Sequence, residues 1–307
     1  MNGPPGTARK DIVANVNDAP AARTDPPAEA PLRGSPLIGP VEPPLLHVMT
    51  YNLKSASGRA PRSWWRRRPL VARIVRDERP AVLCTQEGRF RQLLELRDDL
   101  PGYDWIHLGR EGGSRSEATA VFWDASRLLP VEYDHLWLSR RPRAIGSKSW
   151  GSAVVRMLTW VRFQDRATGR DFHVANVHLD HRSERARVKG ARMCLDVMRR
   201  FPGAAVLAGD FNCDPGTPAH RVLTGGGLVD AWDVAERHLT PDWATFNAWR
   251  TEPVVGGRRI DWIFVKPGGD GDRVRVTAAG VNPRSGDGLA PSDHWPVQAV
   301  LAVGEDR

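Results

Sequence analysis

Cysteine is scarce in this sequence, with 3 residues in 307. Cys84, Cys194 and Cys213 are too few and too widely spaced for a disulfide framework or a cysteine-based zinc site. Long hydrophobic runs are also missing, since no segment reaches the roughly 18 apolar residues of a membrane span and the N-terminus has no signal-peptide core. We therefore predict reduced thiols in a cytoplasmic protein with no transmembrane segment.

Aromatic residues are absent from the first 46 positions, which contain 10 of the 25 prolines. Such a segment cannot bury enough apolar surface to offset the conformational entropy that it would lose on ordering. The composition therefore predicts a disordered Pro/Ala-rich tail over residues 1–44. One folded domain is predicted over residues 45–304.

The formal net charge is +8, from 44 Lys and Arg against 36 Asp and Glu. A basic excess favours a polyanionic partner, such as nucleic acid or a phosphorylated small molecule. Arginine, alanine and proline are frequent throughout the chain, so a general compositional bias explains the excess equally well. No feature indicates an obligate protein partner.

From Leu45 onward, short runs rich in Val and aromatic residues alternate with Gly, Pro, Asp and Arg clusters, a pattern typical of strands. Apolar side chains recur at helical spacing over residues 69–79, 89–100 and 183–201, which predicts three helices. Strands and helices do not alternate strictly, and this favours an α/β (α+β) sandwich of mixed sheets over a barrel or a doubly wound parallel sheet. Strands are predicted over residues 45–51, 81–86, 119–123, 154–163, 172–179, 204–211, 260–265, 274–281 and 295–303.

Polar residues interrupt these apolar runs at the ends of six strands. Because buried carboxylates and imidazoles are costly unless paired or metal-bound, we expect them to converge on one site. Oxygen ligands with some imidazole and few thiols suit Mg²⁺, or alternatively Mn²⁺, better than Zn²⁺. Such a site favours hydrolysis of phosphate esters, since a hard cation neutralises a phosphoryl oxygen while a carboxylate activates water. The residues are Asn52, Gln86, Glu87, Asn176, His178, Asp180, His181, Asp210, Asn212, Asp261, Asp293 and His294.

Six segments occur in the order that marks a known family: MTYNLK (49–54), TQEG (85–88), NVHLDH (176–181), GDFNCDPGTP (209–218), RRIDWIFV (258–265) and APSDHWPV (290–297). In these motifs the sequence resembles the endonuclease/exonuclease/phosphatase (DNase I-like) superfamily. The resemblance implies a four-layer sandwich of two packed mixed β-sheets flanked by helices, with the catalytic domain over residues 45–304. Segments 109–123, 136–150 and 155–163 resemble a bacterial, largely uncharacterised branch.

The resemblance also implies a metal site. Glu87 would hold Mg²⁺ directly, and Asn52 would offer its amide oxygen to the same ion or to its waters. Asp293 would complete the site.

By the same resemblance, Asp210 would orient or activate the attacking water. His178 and His294 would stabilise the transition state, with Glu117 as the acid that fixes the tautomer of His178 and Asp261 as the acid for His294.

Substrate contacts are implied for Arg110, Asn212 and Asn176. Asp180, His181 and Arg187 are secondary candidates, which a helix cap with its ion pair explains equally well. Residues 64–68, two tryptophans followed by three arginines, are expected in a loop after the first strand. They would either stack a base or sugar and hold a phosphate, or pack their tryptophans downward while the arginines reach solvent.

The function predicted from the sequence is a divalent-metal-dependent phosphoester hydrolase, either a phosphatase or a phosphodiesterase. Lys54 stands where apurinic endonucleases carry an acid, which disfavours that branch. The alternative is a DNase I-like nuclease acting on DNA or RNA. An inactive module that binds polyanions is the remaining hypothesis.

Overall fold

The structure is a computed structural model, and the three reduced cysteines are free and buried in it. Part of the predicted tail, residues 1–31, lies outside the residues that the structure describes. The described residues are 32–56, 59–268, 273–286 and 288–304.

Residues 32–44, the remainder of the predicted tail, are described and contact the domain. The backbone amides of Leu37, Ile38 and Gly39 all donate to the carboxylate of Glu78, at 2.6–3.0 Å. Glu78 is itself fully buried, so these three donors satisfy a charge that would otherwise be costly. These contacts attach residues 37–39 to helix α1 (Trp64–Glu78).

Twelve strands form two six-stranded mixed sheets in the described part of the chain. The first sheet has the strand order β11–β12–β1–β2–β4–β3, and the second has β5–β6–β7–β8–β10–β9. The strands are β1 (Leu45–Asn52), β2 (Val82–Arg89), β3 (Tyr103–Ile106), β4 (Glu117–Asp124), β5 (Leu128–Trp137), β6 (Met157–Asp165), β7 (Asp171–His178), β8 (Ala205–Asp210), β9 (Val229–Asp230), β10 (Asp261–Lys266), β11 (Val274–Val281) and β12 (Val297–Val303).

Each sheet has one parallel pair at its centre, flanked by antiparallel neighbours. In the first sheet β1 runs parallel to β2, and in the second β7 runs parallel to β8. The carboxyl ends of a parallel pair lie at the same edge of the sheet, which places the polar residues that follow them side by side. The two pairs therefore define one functional edge in each sheet.

Five helices lie within the described residues: α1 (Trp64–Glu78), α2 (Phe90–Asp99), α3 (Glu184–Arg200), α4 (Pro218–Thr224) and α5 (Ala231–Val234). The helices predicted over 69–79, 89–100 and 183–201 correspond to the first three. Their apolar residues face the sheets, and α3 begins with Ser183 accepting a hydrogen bond from the Ala186 amide as a side-chain cap.

Three hydrophobic cores separate four layers. One core lies between the sheets and contains Val48, Val121, Val174 and Val206. A second core packs α1 and α2 on the outer face of the first sheet, and a third packs α3 and α4 on the outer face of the second. The predicted four-layer sandwich of two mixed sheets flanked by helices is confirmed.

Residues 64–68 belong to helix α1, so the prediction of a loop was wrong. Trp64 is buried, Trp65 is 54% exposed, and Arg67 is fully buried. The Arg67 guanidinium donates to four carbonyls, those of Arg62, Leu53, Lys54 and Pro291, at 2.7–2.9 Å. Arg67 thereby ties the segment after β1 to the segment before β12. A helical first turn is what aims its side chain between those two segments.

Candidate active site

The predicted strand-end residues meet at one edge of the sandwich. Asn52 pairs with Gln86 across β1 and β2, and His178 pairs with Asp210 across β7 and β8. Asp261 stands opposite Asp210 in the antiparallel β8–β10 pair. All five side chains are at least 95% buried. The site therefore combines the functional edges of both sheets.

Asn52 connects the two sheets through its amide nitrogen. Nδ2 donates to Asp210 Oδ2 at 2.9 Å and to Glu87 Oε1 at 3.2 Å. Its oxygen Oδ1 accepts a hydrogen bond from the Lys54 backbone amide at 3.0 Å. The amide nitrogen thus orients two carboxylates, and the contact of the Asn52 oxygen with a metal stays a prediction.

Glu87 sits in an irregularity of β2. Its φ is 61°, and the pairing of β2 with β4 shifts register between Thr85 and Gly88. A left-handed backbone is costly for a glutamate, and bulges of this kind re-aim side chains next to functional sites. The Ser55 amide donates to Glu87 Oε2 at 3.2 Å. The distortion thus turns the carboxylate into the site, where it is held.

A lysine ammonium lies between the two acids that were predicted to bind metal. Lys54 Nζ is 3.5 Å from Glu87 Oε2 and 3.2 Å from Asp293 Oδ2. Burial opposes ionisation, but Lys54, His294 and two hydrogen bonds lower the pKa of Glu87 below its ordinary value. The same two acids raise the pKa of Lys54 despite its partial burial. Both carboxylates therefore already contact a positive charge, that of the Lys54 ammonium.

A histidine–carboxylate array surrounds Asp210, formed by residues of the second sheet together with His294, which precedes β12 of the first sheet. His178 Nε2 lies 3.3 Å from Asp210 Oδ2, and His294 Nε2 lies 3.9 Å from the same oxygen. His294 Nδ1 lies 2.8 Å from Asp261 Oδ2, which is the arrangement that the resemblance implies. The Asp261 carboxylate accepts a hydrogen bond from Nδ1–H of His294, and in the imidazolium form Nε2 carries a second proton that faces Asp210.

The titration properties of this array follow from burial and charge. Burial disfavours the imidazolium, but Asp261, its hydrogen bond, Asp210 and Asp293 together raise the pKa of His294 to about 10. Burial and the neighbouring Asp261 raise the pKa of Asp210 above its ordinary value. Burial and nearby positive charges hold the pKa of His178 well below its usual range. The site thus contains a charged histidine, a neutral histidine and a carboxylate of raised basicity.

Close packing of two backbones fixes the position of Asp210. Gly209 adopts a φ of 151°, and a Cβ built on it would lie 2.0 Å from the Val177 carbonyl oxygen. Only glycine permits that approach between β7 and β8. The strand therefore reaches Asp210 in the one register that sets its carboxylate beside His178.

Glu117 was predicted to partner His178, and the structure corrects this. Its carboxylate lies 2.8 Å from the Arg110 guanidinium, with both side chains less than 20% exposed. The acid beside His178 is Asp210. Arg110 is further held by Ser116 Oγ and by the Trp137 indole, which donates to its carbonyl oxygen. Arg110 and Glu117 therefore form a paired wall of the site.

Asn176 was predicted to bind substrate, but its side chain is bonded within the core. Nδ2 donates to the carbonyls of Thr85 and Ala120, and Oδ1 accepts from Gln86 Nε2 at 2.7 Å. It is fully buried between the sheets. Asn176 therefore joins the second sheet to the first beneath the site, and its side chain is not available to a substrate.

Asn212 lies in the turn that follows β8. Its amide nitrogen donates to Asp210 Oδ1 at 2.8 Å, and its side-chain Nδ2 donates to the Leu179 carbonyl at 3.1 Å. The hydrogen bond from the Asn212 backbone to Asp210 is an Asx turn. Asn212 is half-buried at the rim, which leaves a substrate contact as a proposal.

Of the secondary candidates, Asp180 and Arg187 have structural contacts, whereas His181 contacts another residue of the site. Asp180 accepts hydrogen bonds from the backbone amides of Arg182 and Ser183 at the start of α3, and Arg187 donates to the Asp180 carbonyl. These contacts hold the turn that leads into α3, whose cap is Ser183. His181 instead faces Arg156, whose Nη2 lies 3.1 Å from its Nδ1. Arg156 and the lysine at position 54 are the site residues that sequence reasoning did not assign.

The donor set fits a divalent cation. Glu87, His178 and Asp210 each offer an atom within 4.8 Å of the others. Among the described residues, Asp261 Oδ1 and Asp293 Oδ1 are buried without a hydrogen-bond partner. Lys54 already brings positive charge between Glu87 and Asp293. Unsatisfied carboxylate oxygens around a cationic position are the chemistry that Mg²⁺ or Mn²⁺ requires.

Comparison with known proteins places this site in a family. The sequence model of the Endonuclease/Exonuclease/phosphatase family matches residues 49–294. The chain belongs to that family and is a hydrolase of phosphate esters by membership. No protein with a curated description matches it significantly. No helix within the described residues is long and apolar enough to cross a membrane.

Several solved structures are similar over most of the chain. The mannosyl-6-phosphatase of Bacteroides thetaiotaomicron VPI-5482 is 31% identical with a TM-score of 0.77, over 83% of this chain and 99% of that one. A family protein from the same species is 30% identical with a TM-score of 0.77, covering 84% and 94%. TDP2 from D. rerio, complexed with a single-strand DNA product, is 18% identical with a TM-score of 0.67, covering 84% and 99%. That last likeness shows the fold alone.

Proposed function

We propose that this protein is a divalent-metal-dependent phosphatase or phosphodiesterase acting on a small phosphate ester. The observation that carries the proposal is the convergence of two sets of groups on Asp210: the Glu87–Asp293 pair, and His178 with the His294–Asp261 pair. One set suits a cation, and the other suits proton handling around a phosphoryl group.

Glu87 and Asp293 would hold Mg²⁺ or Mn²⁺, with Asn52 orienting the carboxylates. When bound, such an ion neutralises a non-bridging oxygen of the phosphoryl group. Asp210 orients the attacking water and withdraws its proton, a role that suits its raised pKa. His294, charged through Asp261, and His178 donate to the oxygens on which negative charge develops. Asn212 and Arg110 would contact the substrate at the rim.

A cavity beside His294 favours a substrate whose alcohol group, the part esterified to phosphate, is small. It encloses about 230 Å³, and its lining includes Phe246, Asn247, Arg258 and Trp295. The Phe246 ring meets the His294 imidazole at 5.2 Å in an edge-on contact. This volume suits a sugar-sized group, and the 31% identical mannosyl-6-phosphatase acts on such an ester by its name. We also propose a cytoplasmic location, in keeping with the three free cysteines.

A DNase I-like nuclease is the second candidate. It is favoured by the net charge of +8 and by the fold shared with TDP2. Against it, Arg67 and Arg68, which were candidates for phosphate contact, are bonded within the protein. Part of the excess positive charge is therefore bonded within the protein.

The test is turnover of p-nitrophenyl phosphate, bis-p-nitrophenyl phosphate, sugar phosphates, and single- and double-stranded DNA, with Mg²⁺ or Mn²⁺ and with EDTA. We expect metal-dependent turnover of the small esters, and a loss of about 10²-fold or more in Glu87→Gln and His294→Gln. Glu132→Gln and His238→Gln, which change exposed residues outside the site, are the matched controls. Faster cleavage of DNA would establish the nuclease. Turnover that persists with EDTA and in both site variants would refute the site, and no turnover of any ester would favour the inactive polyanion-binding module.

A further inference from the structure

Arg156 stands at the same edge of the second sheet as His178. It directly precedes β6, and β6 pairs antiparallel with β7, with Leu158 opposite Val177. The end of β7, where His178 lies, is therefore beside the start of β6. The Arg156 charge also contributes to the lowered pKa of His178 and of His181. Arg156 thus belongs to the wall of the active site.

The guanidinium of Arg156 has few partners for a buried charge. The residue is 7% exposed, and within the described part of the chain its one hydrogen bond joins Nη2 to His181 Nδ1 at 3.1 Å. Nε is buried with no partner. No carboxylate in the described residues lies within ion-pair distance of it. A buried arginine without a counter-ion or a full set of acceptors is expensive to maintain.

Two other arginines of the protein show what a structural role looks like. Arg67, equally buried, donates to four carbonyls. Arg110, at the same site, is neutralised by Glu117 at 2.8 Å. Arg156 has neither arrangement, so folding alone gives no reason for its charge.

We infer that Arg156 binds non-bridging oxygens of the substrate's phosphoryl group and selects phosphomonoesters over phosphodiesters. The inference rests on the proposed function. A guanidinium offers parallel N–H donors that match two phosphoryl oxygens. A monoester has three such oxygens and two negative charges, whereas a diester has two oxygens and one charge. A bound cation and the two site histidines would neutralise part of this charge, and Arg156 would contact the additional oxygen that distinguishes a monoester from a diester.

His181 is a positioning residue in this arrangement. Because its Nδ1 faces the Arg156 guanidinium, Nδ1 is the acceptor and the proton resides on Nε2. The imidazole thereby fixes one N–H of the guanidinium and leaves Nη1 for the substrate.

The test compares the specificity ratio of Arg156→Met with that of the wild type. We expect kcat/KM for p-nitrophenyl phosphate to fall about 100-fold and that for bis-p-nitrophenyl phosphate to fall less than about 5-fold. Inhibition by inorganic phosphate, a dianionic product, should weaken in parallel. Arg156→Lys should recover part of the monoester activity. Arg162→Met, which changes a half-buried arginine of the same strand paired with Asp171, should leave the ratio unchanged.

The thermal midpoint of unfolding is a second measurement that distinguishes the two roles. Removing a structural arginine would lower this midpoint. Replacing an unpaired buried charge by an apolar side chain of similar length should leave the thermal midpoint unchanged or raise it. A lowered midpoint with an unchanged specificity ratio would overturn the inference. If the wild-type protein turns over neither ester, the proposed function fails first; if it turns over both and the ratio is the same in Arg156→Met, only the inference fails.

Discussion

In the first sheet, the parallel pair β1–β2 ends in Asn52, Gln86 and Glu87; in the second, the parallel pair β7–β8 ends in His178 and Asp210. The backbone arrangement is the same, but the first edge offers acid and amide next to Lys54, and the second offers imidazole and carboxylate. This difference indicates a division of labour. In the proposed function, the first sheet would bind the cation and the second would move protons and stabilise charge, and Asn52 connects the two.

The largest expected effect is a loss of stability on removing Arg67, which holds the segment that follows β1 at the first functional edge. Arg67→Met removes four hydrogen bonds to carbonyls, of which those to Leu53 and Pro291 are buried. Leaving these acceptors unsatisfied should lower the free energy of unfolding by about 3–5 kcal/mol. Urea denaturation followed by circular dichroism measures this. Arg156→Met is the matched variant, and equal stability of the two would contradict the distinction between a structural and a substrate-binding arginine.

The next effect separates the second edge from the first. Asp261→Asn removes the charge that keeps His294 protonated and weakens the hydrogen bond at Nδ1. We expect kcat to fall about 10²-fold while the metal concentration for half-activation stays constant. Steady-state kinetics at several Mg²⁺ concentrations provide both numbers, with Asp171→Asn at the far end of β7 as control. A shift in metal requirement without a fall in kcat would show that both edges bind the cation.

The smallest effect sharpens the role of the first edge. Lys54→Gln removes an ammonium that lies 3.2–3.5 Å from Glu87 and Asp293. Because like charge then no longer opposes a cation there, half-activation should need about 3- to 10-fold less Mg²⁺. A Mg²⁺ titration of turnover measures this, and Lys148→Gln serves as the exposed control. A higher requirement would mean that Lys54 instead holds the carboxylates in place for the metal.

Much of the fold follows from the sequence because apolar periodicity reports burial directly. The central strands and the helices α1, α2 and α3 were predicted in this way. Strand β5 was not, since Pro130, Glu132 and Asp134 break its pattern; it is an edge strand whose one free side tolerates proline and charge. The half-exposed β3 and the two-residue β9 carry too little signal for their period to show.

The sequence predicted which residues form the site better than it predicted which of them contact one another. Polar residues at the ends of buried strands indicate that Glu87, Asp210 and His294 converge, whatever their separation along the chain. Whether Glu117 contacts His178 or Arg110 depends on side-chain geometry that no sequence pattern encodes. Arg156 resembles any arginine that precedes a strand until burial and missing partners are known. Its role arises from what surrounds it, which only the folded chain specifies.

The site joins segments that are remote along the chain. Ser292 Oγ donates to the Asn52 carbonyl at 2.6 Å across a separation of 240 residues, and the adjacent strands β1 and β12 are the first and last in chain order. Contacts of such range form slowly, after local hairpins and helices. During refolding, catalytic competence should therefore emerge only after most secondary structure has returned, and partly folded molecules would hold neither cation nor ester.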